Sequence, residues 1–224
     1  MNVTSFIDRL RISWRAASLR RALGIRDLST GAVFSRIYEK NLWGDSESRS
    51  GRGSTLARTA VVRDALPALL EGVGARSMLD AACGDFNWMA QVDLCGVKYV
   101  GVDVVPQLIE RNRRLYGSED REFILADITR DPLPKTDVIL CRDCLIHHSL
   151  DDARAAVLNF RRSDSGYLLA TTHTNVLQNI DIPTGSWRPL NLQLPPFNFP
   201  TPARLLTEDE EMGKRLGLWE LKSL

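Results

Sequence analysis

The sequence predicts an α/β domain in which a parallel sheet carries helices on both faces. From residue 76 onward, short apolar runs alternate with segments whose apolar residues recur at helical spacing, which is typical of strands joined by crossover helices. The chain has 224 residues, 44% of them hydrophobic and 25% charged, so it can build one domain with a sizeable core. We therefore expect functional groups at the carboxyl ends of the strands.

Five apolar runs are predicted to be buried strands, at residues 77–83, 98–104, 122–128, 137–142 and 167–172. Helical patterns lie between them at residues 106–116 and 151–160, and another helix is expected from an N-cap at Ser54 through Leu70. The closing stretch LGLWELKSL predicts a final strand.

We expect a helical and Gly/Ser-rich lead-in over residues 1–53, followed by the functional domain over residues 54–224. Residues 9–26 of the lead-in contain six arginines and no acid, and apolar residues recur there at helical spacing. This pattern fits a helix packed on the domain with its arginines in water, a helix lying on an anionic membrane surface, or an organelle transit segment.

Residues 174–202 form a long irregular stretch with six prolines. Its apolar and aromatic residues, Trp187 and Phe199 among them, argue against disorder. A loop of this length within a compact domain is usually functional, so we expect a lid-like insertion that closes over the substrate.

Net charge, the cysteines and the lengths of the apolar runs disfavour some classes of partner and some compartments. Net charge is +1, and basic residues cluster only in the lead-in, so a nucleic-acid partner is disfavoured. No secretory signal precedes the four cysteines, which predicts free thiols in an intracellular, cytoplasmic protein. No apolar run approaches the roughly 20 residues that a membrane span needs.

Three acids are expected to meet at neighbouring strand ends: Asp80, Asp103 and Asp127. Gly84 follows the first strand, where a glycine lets the backbone approach a ligand and the turn offers free N–H groups. Asp103 stands 19 positions later, where a carboxylate can accept hydrogen bonds from ribose hydroxyls. The turn lacks the G-x-G-x-x-G pattern that a dinucleotide pyrophosphate needs, which disfavours NAD.

This order of motifs resembles the class I S-adenosylmethionine-dependent methyltransferases, over roughly residues 54 to 172. The resemblance implies a three-layer Rossmann-like fold with N-terminal helices and seven strands, the last of them antiparallel. It also implies S-adenosyl-L-methionine as the cofactor. The cofactor-binding residues that it implies are Asp80, Ala82, Cys83, Gly84, Asp103, Val104, Asp127, Ile128 and Arg142.

A narrower resemblance rests on the segments WGDSESRSGRGS, DAACGDFNWM, CRDCLIHHS, NIDIPTGSWRPLNL and PPFNFP taken together. This set is similar to a group of bacterial and fungal class I methyltransferases of uncharacterised substrate. Some of that group are associated with carbohydrate-modifying gene neighbourhoods, which makes a carbohydrate one candidate acceptor.

The segment CRDCLIHH follows the fourth predicted strand and permits several interpretations. Cys141, Cys144 and His147 have ligand-like spacing, but no second ligand cluster accompanies them, so we expect no metal. A nucleophilic cysteine could be activated by Arg142 and His147, although a sulfonium methyl donor needs no covalent relay. His147 can also merely pack beneath the cofactor or cap the following helix.

Acid–base chemistry is the interpretation that we favour for this segment. A histidine can take the proton that an acceptor hydroxyl loses during methyl transfer. Because adjacent side chains diverge, we expect His147 rather than His148 to do so, with Asp143 orienting it or binding substrate. We expect Trp88, His148, Asn179, Trp187 and Arg188 to bind the acceptor.

The sequence thus predicts methyl transfer to a small molecule, at a hydroxyl. One alternative is a catalytically silent module that binds the cofactor, since only one glycine remains in the first turn. Another is N-methylation of a protein or nucleic acid. The segment LPPF is similar to the motif of amino-methylating enzymes, but Leu194 stands where that motif needs an amide or carboxylate. The oligomeric state is left open.

Overall fold

The computed structural model describes residues 28–224, so the arginine-rich segment 9–26 lies outside the described residues. A seven-stranded sheet with the order β3-β2-β1-β4-β5-β7-β6 forms its centre. The strands are β1 (Ser77–Ala81), β2 (Lys98–Asp103), β3 (Arg121–Leu125), β4 (Val138–Cys141), β5 (Tyr167–His173), β6 (Arg204–Asp209) and β7 (Lys214–Glu220). Strands β1 to β5 are parallel, and β7 pairs antiparallel with both β5 and β6. The predicted α/β fold with an antiparallel last strand is confirmed.

The helices of the described residues are α1 (Thr30–Glu39), α2 (Leu56–Glu71), α3 (Pro106–Tyr116) and α4 (Leu150–Arg162). Helix α4 begins after Ser149, whose hydroxyl accepts from the N–H of Asp152 at 3.1 Å. The predicted N-cap of α2 is wrong by one residue. Residues 52–54 form a 3-10 turn, so Thr55 rather than Ser54 caps the helix.

The core lies in two layers, because successive residues of a strand point to opposite faces of the sheet. Leu79, Ile139 and Leu168 pack on the face covered by α4, whose Phe160 is fully buried. Their neighbours Met78, Leu140 and Leu169 pack on the other face, together with buried residues of α2 and α3. Strands buried on both faces read as continuous apolar runs, and these are the runs that the sequence shows.

Strand β6 was not predicted, and α1 was expected only as part of a helical lead-in, without bounds. Strand β6 is an edge strand that pairs with β7 alone, and most of its residues are exposed or half-buried, so RLLTED shows no apolar run. Helix α1 buries only Val33 and Ile37, while Ser29 caps it by accepting from the N–H of Ala32 at 3.3 Å. Such short stretches carry weak periodicity.

The insertion at residues 174–202 is packed along the domain without helix or strand. Leu190, Leu192 and Phe199 belong to the core, so most of the segment is fixed in place. Asn179 braces it by donating to the carbonyls of Asn191 at 2.8 Å and Pro195 at 2.9 Å. A closing motion stays a prediction, and it would concern the turn at residues 185–187 rather than the whole segment.

Candidate active site

A cavity of about 790 Å³ opens at the carboxyl ends of β1, β2, β3 and β4. It is lined by all nine residues that the resemblance implied for the cofactor: Asp80, Ala82, Cys83, Gly84, Asp103, Val104, Asp127, Ile128 and Arg142. Trp88, Asp143, His147, His148 and Trp187 also line it. The parallel order of strands brings these residues together, while their individual roles stay predictions.

The turn after β1 is held in a shape that brings its backbone to the cavity. Gly84 has a φ of +56°, and a Cβ there would meet Ser50 Oγ at 2.2 Å, so a larger residue does not fit. The carboxylate of Asp103 accepts from the N–H groups of Gly84 at 3.1 Å and Val105 at 3.0 Å. Strand β2 therefore fixes the turn that follows β1.

Asp80 is a buried carboxyl group whose hydrogen-bond donor is the neutral hydroxyl of Tyr99, at 2.8 Å. Burial raises the pKa of Asp80 to about 7, because the charged form is poorly solvated there. Burial also raises the pKa of Asp103 to about 6. A cation entering the cavity would offset this penalty, so the site favours a positively charged ligand group.

The Gly/Ser-rich loop of the lead-in is fastened to the β1 turn by Asp85. The Asp85 carboxylate accepts from Ser48 Oγ at 2.9 Å and from the N–H of Arg49 at 2.8 Å. Glu47 accepts in turn from Asn87 Nδ2 at 2.9 Å. Sequence reasoning missed these residues, and their only signal was the density of serine and glycine. The loop brings residues 49–54 to the cavity.

After β4, Arg142 is committed to protein partners. It donates to Glu208 Oε2 from Nη2 at 2.6 Å and to the carbonyl of Gly53 from Nη1 at 2.9 Å. Lys214 donates to Asp143 at 2.6 Å. Burial alone would raise the pKa of Asp143, but the charges of Arg142 and Lys214 outweigh it and lower that pKa well below its usual range. Asp143 is therefore a permanent anion rather than a base.

Both histidines line the cavity, so the divergence of adjacent side chains does not by itself separate His147 from His148. A 3-10 turn over Leu145–His147 gives way to extended backbone at His148, and both rings then face the lead-in. The His147 ring lies 4.9 Å from that of Trp43, and the His148 ring lies 5.2 Å from that of Phe34.

The partner that orients His147 is the carbonyl of Ser186, at 2.8 Å from Nδ1. A carbonyl can only accept, so Nδ1 carries a proton and Nε2 is the free basic nitrogen of the neutral ring. The expected orienting role of Asp143 needs correction, because that carboxylate is bonded to Lys214. Burial lowers the pKa of His147 below its ordinary value, which keeps the ring neutral near pH 7.

Arg188 and Asn179 do not lie on the cavity where the sequence placed them. Arg188 is fully buried and donates from Nη1 to the carbonyl of Leu145 at 2.9 Å. Burial lowers its pKa to about 10. Arg188 therefore braces the turn that carries His147, while Asn179 braces the insertion itself.

The cysteines of CRDCLIHH occupy different places. Cys141 is buried in the core at the end of β4, while Cys144 lines the cavity. Within residues 28–224, no group of three or more His, Cys, Asp or Glu side chains is arranged to hold a metal ion. In the same part of the chain, no helix has the length and apolarity of a membrane span.

Residues 78–163, from β1 to the end of α4, match the family profile of a methyltransferase domain. This part of the chain is a methyltransferase domain, and S-adenosylmethionine is the cofactor that it implies. No curated protein sequence matches the chain.

The methyltransferase is similar in fold to several solved structures. Human N-acetylserotonin methyltransferase in complex with S-adenosylmethionine superposes with a TM-score of 0.62 at 12% identity, over 94% of this chain and 66% of that one. Magnesium protoporphyrin IX methyltransferase from Synechocystis PCC 6803 gives a TM-score of 0.58 at 14% identity, over 88% and 98%. N-methyltransferase NodS from Bradyrhizobium japonicum WM9 gives 0.50 at 16% identity, over 62% and 72%.

The residues of the cavity fit S-adenosylmethionine. Its ammonium and sulfonium supply the positive charge that the buried Asp80 carboxylate favours. Gly84 leaves room for backbone approach, and Asp103 lies where a ribose is expected. Apolar side chains beside Asp127, from Leu108 and Ile128 among others, offer flat contact to an adenine. We name this set of residues the cofactor half of the cavity.

Proposed function

We propose that this methyltransferase transfers a methyl group to a hydroxyl of a small molecule, with His147 as the general base. The observation that carries the proposal is the hydrogen bond from His147 Nδ1 to the Ser186 carbonyl at 2.8 Å. It leaves Nε2 free to take a proton, in a residue that lines the cavity beside the cofactor half. An amine acceptor that is already deprotonated would not need such a base.

When bound, S-adenosylmethionine would supply a methyl carbon activated by its sulfonium, for transfer to the acceptor oxygen. His147 receives the hydroxyl proton at Nε2. The Trp43 ring, 4.9 Å from the His147 ring, restricts the imidazole from the other side. Positioning the acceptor oxygen against the methyl group, and His147 against the hydroxyl proton, accounts for much of the rate enhancement expected of such a site.

The other residues divide between cofactor and acceptor. Asp80, Gly84, Asp103, Asp127 and Ile128 would hold the cofactor, supported by their common position at the strand ends. A second set would contact the acceptor, supported by its position on the same cavity beyond those acids: Trp88, His148 and Trp187.

The domain organisation and compartment are part of the proposal. Residues 54–224 would form the methyltransferase domain, with the lead-in completing the cavity through residues 30–54. The four cysteines are unpaired, which supports a reducing, cytoplasmic location. The cavity of about 790 Å³ lies in the size range of small-molecule sites, which supports a small-molecule acceptor.

His147→Ala tests the proposed base. We expect turnover to fall about 10²–10⁴-fold, with the dissociation constant of S-adenosylhomocysteine unchanged by calorimetry. The wild-type rate should fall as the pH drops through the lowered pKa of His147, because the protonated ring cannot accept, and the variant should lack this limb.

His148→Ala is the matched control, since its ring lies in the same cavity and we expect a much smaller loss of rate. If His148→Ala carries the larger loss, the base is assigned to the wrong histidine. If S-adenosylhomocysteine binds but the wild type turns over none of a broad hydroxyl panel, the silent-module alternative gains over the enzyme.

A further inference from the structure

Part of the cavity wall beyond the cofactor half comes from outside the residues that match the methyltransferase profile. The match covers residues 78–163, whereas the far wall comes from the lead-in and from the turn at residues 185–187. Four rings on this wall line the cavity and form what we name the aromatic wall: Phe34, Tyr38, Trp43 and Trp187. Contact of the acceptor with these four rings is therefore not implied by the match to the methyltransferase profile.

Helix α1 contributes Phe34 and Tyr38 to the aromatic wall from one of its faces. Thr30, Phe34 and Tyr38 are spaced by four residues and line the cavity. The neighbouring face docks the helix, because Val33 meets the turn at Gly185 so closely that a Cβ there would lie 2.5 Å from Val33 Cγ1. The docked helix fixes Phe34, whose ring lies 6.2 Å from that of Trp43 at an angle of 56°.

The aromatic side chains of the wall favour an aromatic acceptor. An aromatic ring gains from stacking on such side chains beyond the area that it buries. A carbohydrate also needs polar partners for each buried hydroxyl, usually carboxylates and amides. Among the described residues of the acceptor half, Asp143 is the one such side chain on the cavity, and Lys214 occupies it.

The acidity of the acceptor hydroxyl also favours an aromatic acceptor. A phenol has a pKa of about 10, whereas an aliphatic alcohol is about as weak an acid as water, near 16. Burial makes His147 a weaker base than an ordinary histidine. Transfer of a proton to such a base is far less uphill from a phenol than from a sugar hydroxyl.

Two arginines of the lead-in can pair with an acidic group of the acceptor. Arg49 and Arg52 both line the cavity, and neither forms a salt bridge within residues 28–224. The Arg49 guanidinium lies 5.7 Å from the centre of the Tyr38 ring, beside the aromatic wall. Arginine presents a planar fork that suits a carboxylate.

We propose that the acceptor is a hydroxylated aromatic ring bearing an acidic substituent, an inference that rests on the proposed function and names its substrate class. The phenol oxygen gains the methyl group and its proton passes to His147 Nε2. The ring lies against the aromatic wall, and the acidic group lies at Arg52.

Binding of small probes to the protein saturated with S-adenosylhomocysteine tests this proposal. We expect 4-hydroxybenzoate at millimolar concentration to bind at least several-fold more tightly than its saturated counterpart 4-hydroxycyclohexanecarboxylate, its neutral counterpart 4-hydroxybenzamide, and methyl glucoside. Equal binding of the flat and saturated acids, or tighter binding of the glucoside, overturns the proposal. Failure of S-adenosylhomocysteine itself to bind would overturn the proposed function instead.

Two variants locate the probe. Phe34→Leu keeps apolar volume but removes a ring of the wall, and should weaken 4-hydroxybenzoate binding about threefold to tenfold. Phe197→Leu is the matched control, a half-buried ring away from the cavity, and should change nothing. Equal effects of the two variants contradict a role for the wall.

Arg52→Ala should abolish the preference for the benzoate over the benzamide and leave the affinity for S-adenosylhomocysteine unchanged. Should that affinity fall tenfold, Arg52 binds the carboxylate of the cofactor, and the acidic substituent is removed from the proposal.

Discussion

Asp80 lies near the end of β1, and Asp143 follows β4. Their surroundings shift the pKa values of the two carboxyl groups in opposite directions. Burial raises the pKa of Asp80 to about 7. The charges of Arg142 and Lys214 lower the pKa of Asp143 in spite of burial. Asp143 is therefore ionised with or without ligand, whereas Asp80 gains full charge when a cation lies beside it. The buried carboxylate of Asp80 therefore destabilises the cofactor half until a cation binds beside it.

Asp80→Asn is expected to stabilise the ligand-free protein at pH 8 and to weaken binding of S-adenosylhomocysteine. The folded-state pKa of about 7 lies above the ordinary 3.8. The contribution of the protonated form is fully present below about pH 4 and lost as the pH rises through 7. At pH 8 the wild type carries this penalty and the amide does not, so the melting temperature should rise by about several degrees.

The gap between variant and wild type should narrow as the pH falls from 8 toward 4, which thermal denaturation across that range measures. Asp64→Asn, an exposed position on α2, is the control and should show no such trend. A constant gap at every pH would mean that Asp80 is not the titrating group.

At the scale of elements, α1 and the turn at residues 185–187 act as one unit of the acceptor half. The turn carries the Ser186 carbonyl that orients His147, and Gly185 donates its N–H to the His147 carbonyl at 2.8 Å. Gly185 has a φ of +92° and lies against Val33 and Ile37 of α1. The position of α1 and the orientation of the base therefore depend on the same glycine.

Gly185→Ala is expected to displace α1 while leaving the sheet intact. The new Cβ would lie 2.5 Å from Val33 Cγ1, in a backbone conformation that alanine disfavours. Amide hydrogen exchange should show lost protection in residues 30–39, with β1 to β5 and the affinity for S-adenosylhomocysteine little changed.

Gly74→Ala controls for backbone strain alone, because Gly74 has a φ of +64° and open space around its Cβ. Gly74→Ala should lower the free energy of unfolding slightly without changing the amide protection of α1. Equal loss of protection in α1 for both variants would remove the contact with Val33 as the cause.

At the scale of the whole molecule, an ionic network ties the far edge of the sheet to the cavity. Arg142 after β4 is paired with Glu208 of β6 at 2.6 Å, and Lys214 of β7 lies 3.4 Å from the same carboxylate. Arg142 also reaches the lead-in through the Gly53 carbonyl. The edge hairpin, the central strands and the lead-in are therefore joined at one buried arginine.

Glu208→Ala should destabilise the protein by about 3–5 kcal/mol, because it leaves a buried charge without its closest partner. Glu210→Ala is the control, since its side chain is 81% exposed in a surface pair with Arg215 and such pairs contribute about 1 kcal/mol or less. Urea denaturation measures both. A loss for Glu208→Ala no larger than the control would show that solvent screens the network.

Much of the cofactor half could be predicted from sequence because it depends on local patterns. Apolar runs mark β1 to β5, and parallel strands place the residues that follow them at one edge, so Asp80, Asp103 and Asp127 had to be neighbours. The same reasoning failed for β6 and α1, whose burial is partial and whose contacts are with elements distant in sequence.

The sequence by itself determined the fold class, the alignment of three acids at strand ends and the presence of histidines beside them. Only the tertiary structure decided which of these groups are free to act. Arg142 is occupied by Glu208, 66 positions away, and His147 is oriented by Ser186, 39 positions away. Periodicity reports which face of an element is buried, but a hydrogen bond depends on a few tenths of an ångström between atoms from different elements. For that reason the acceptor half emerges only when the chain is folded.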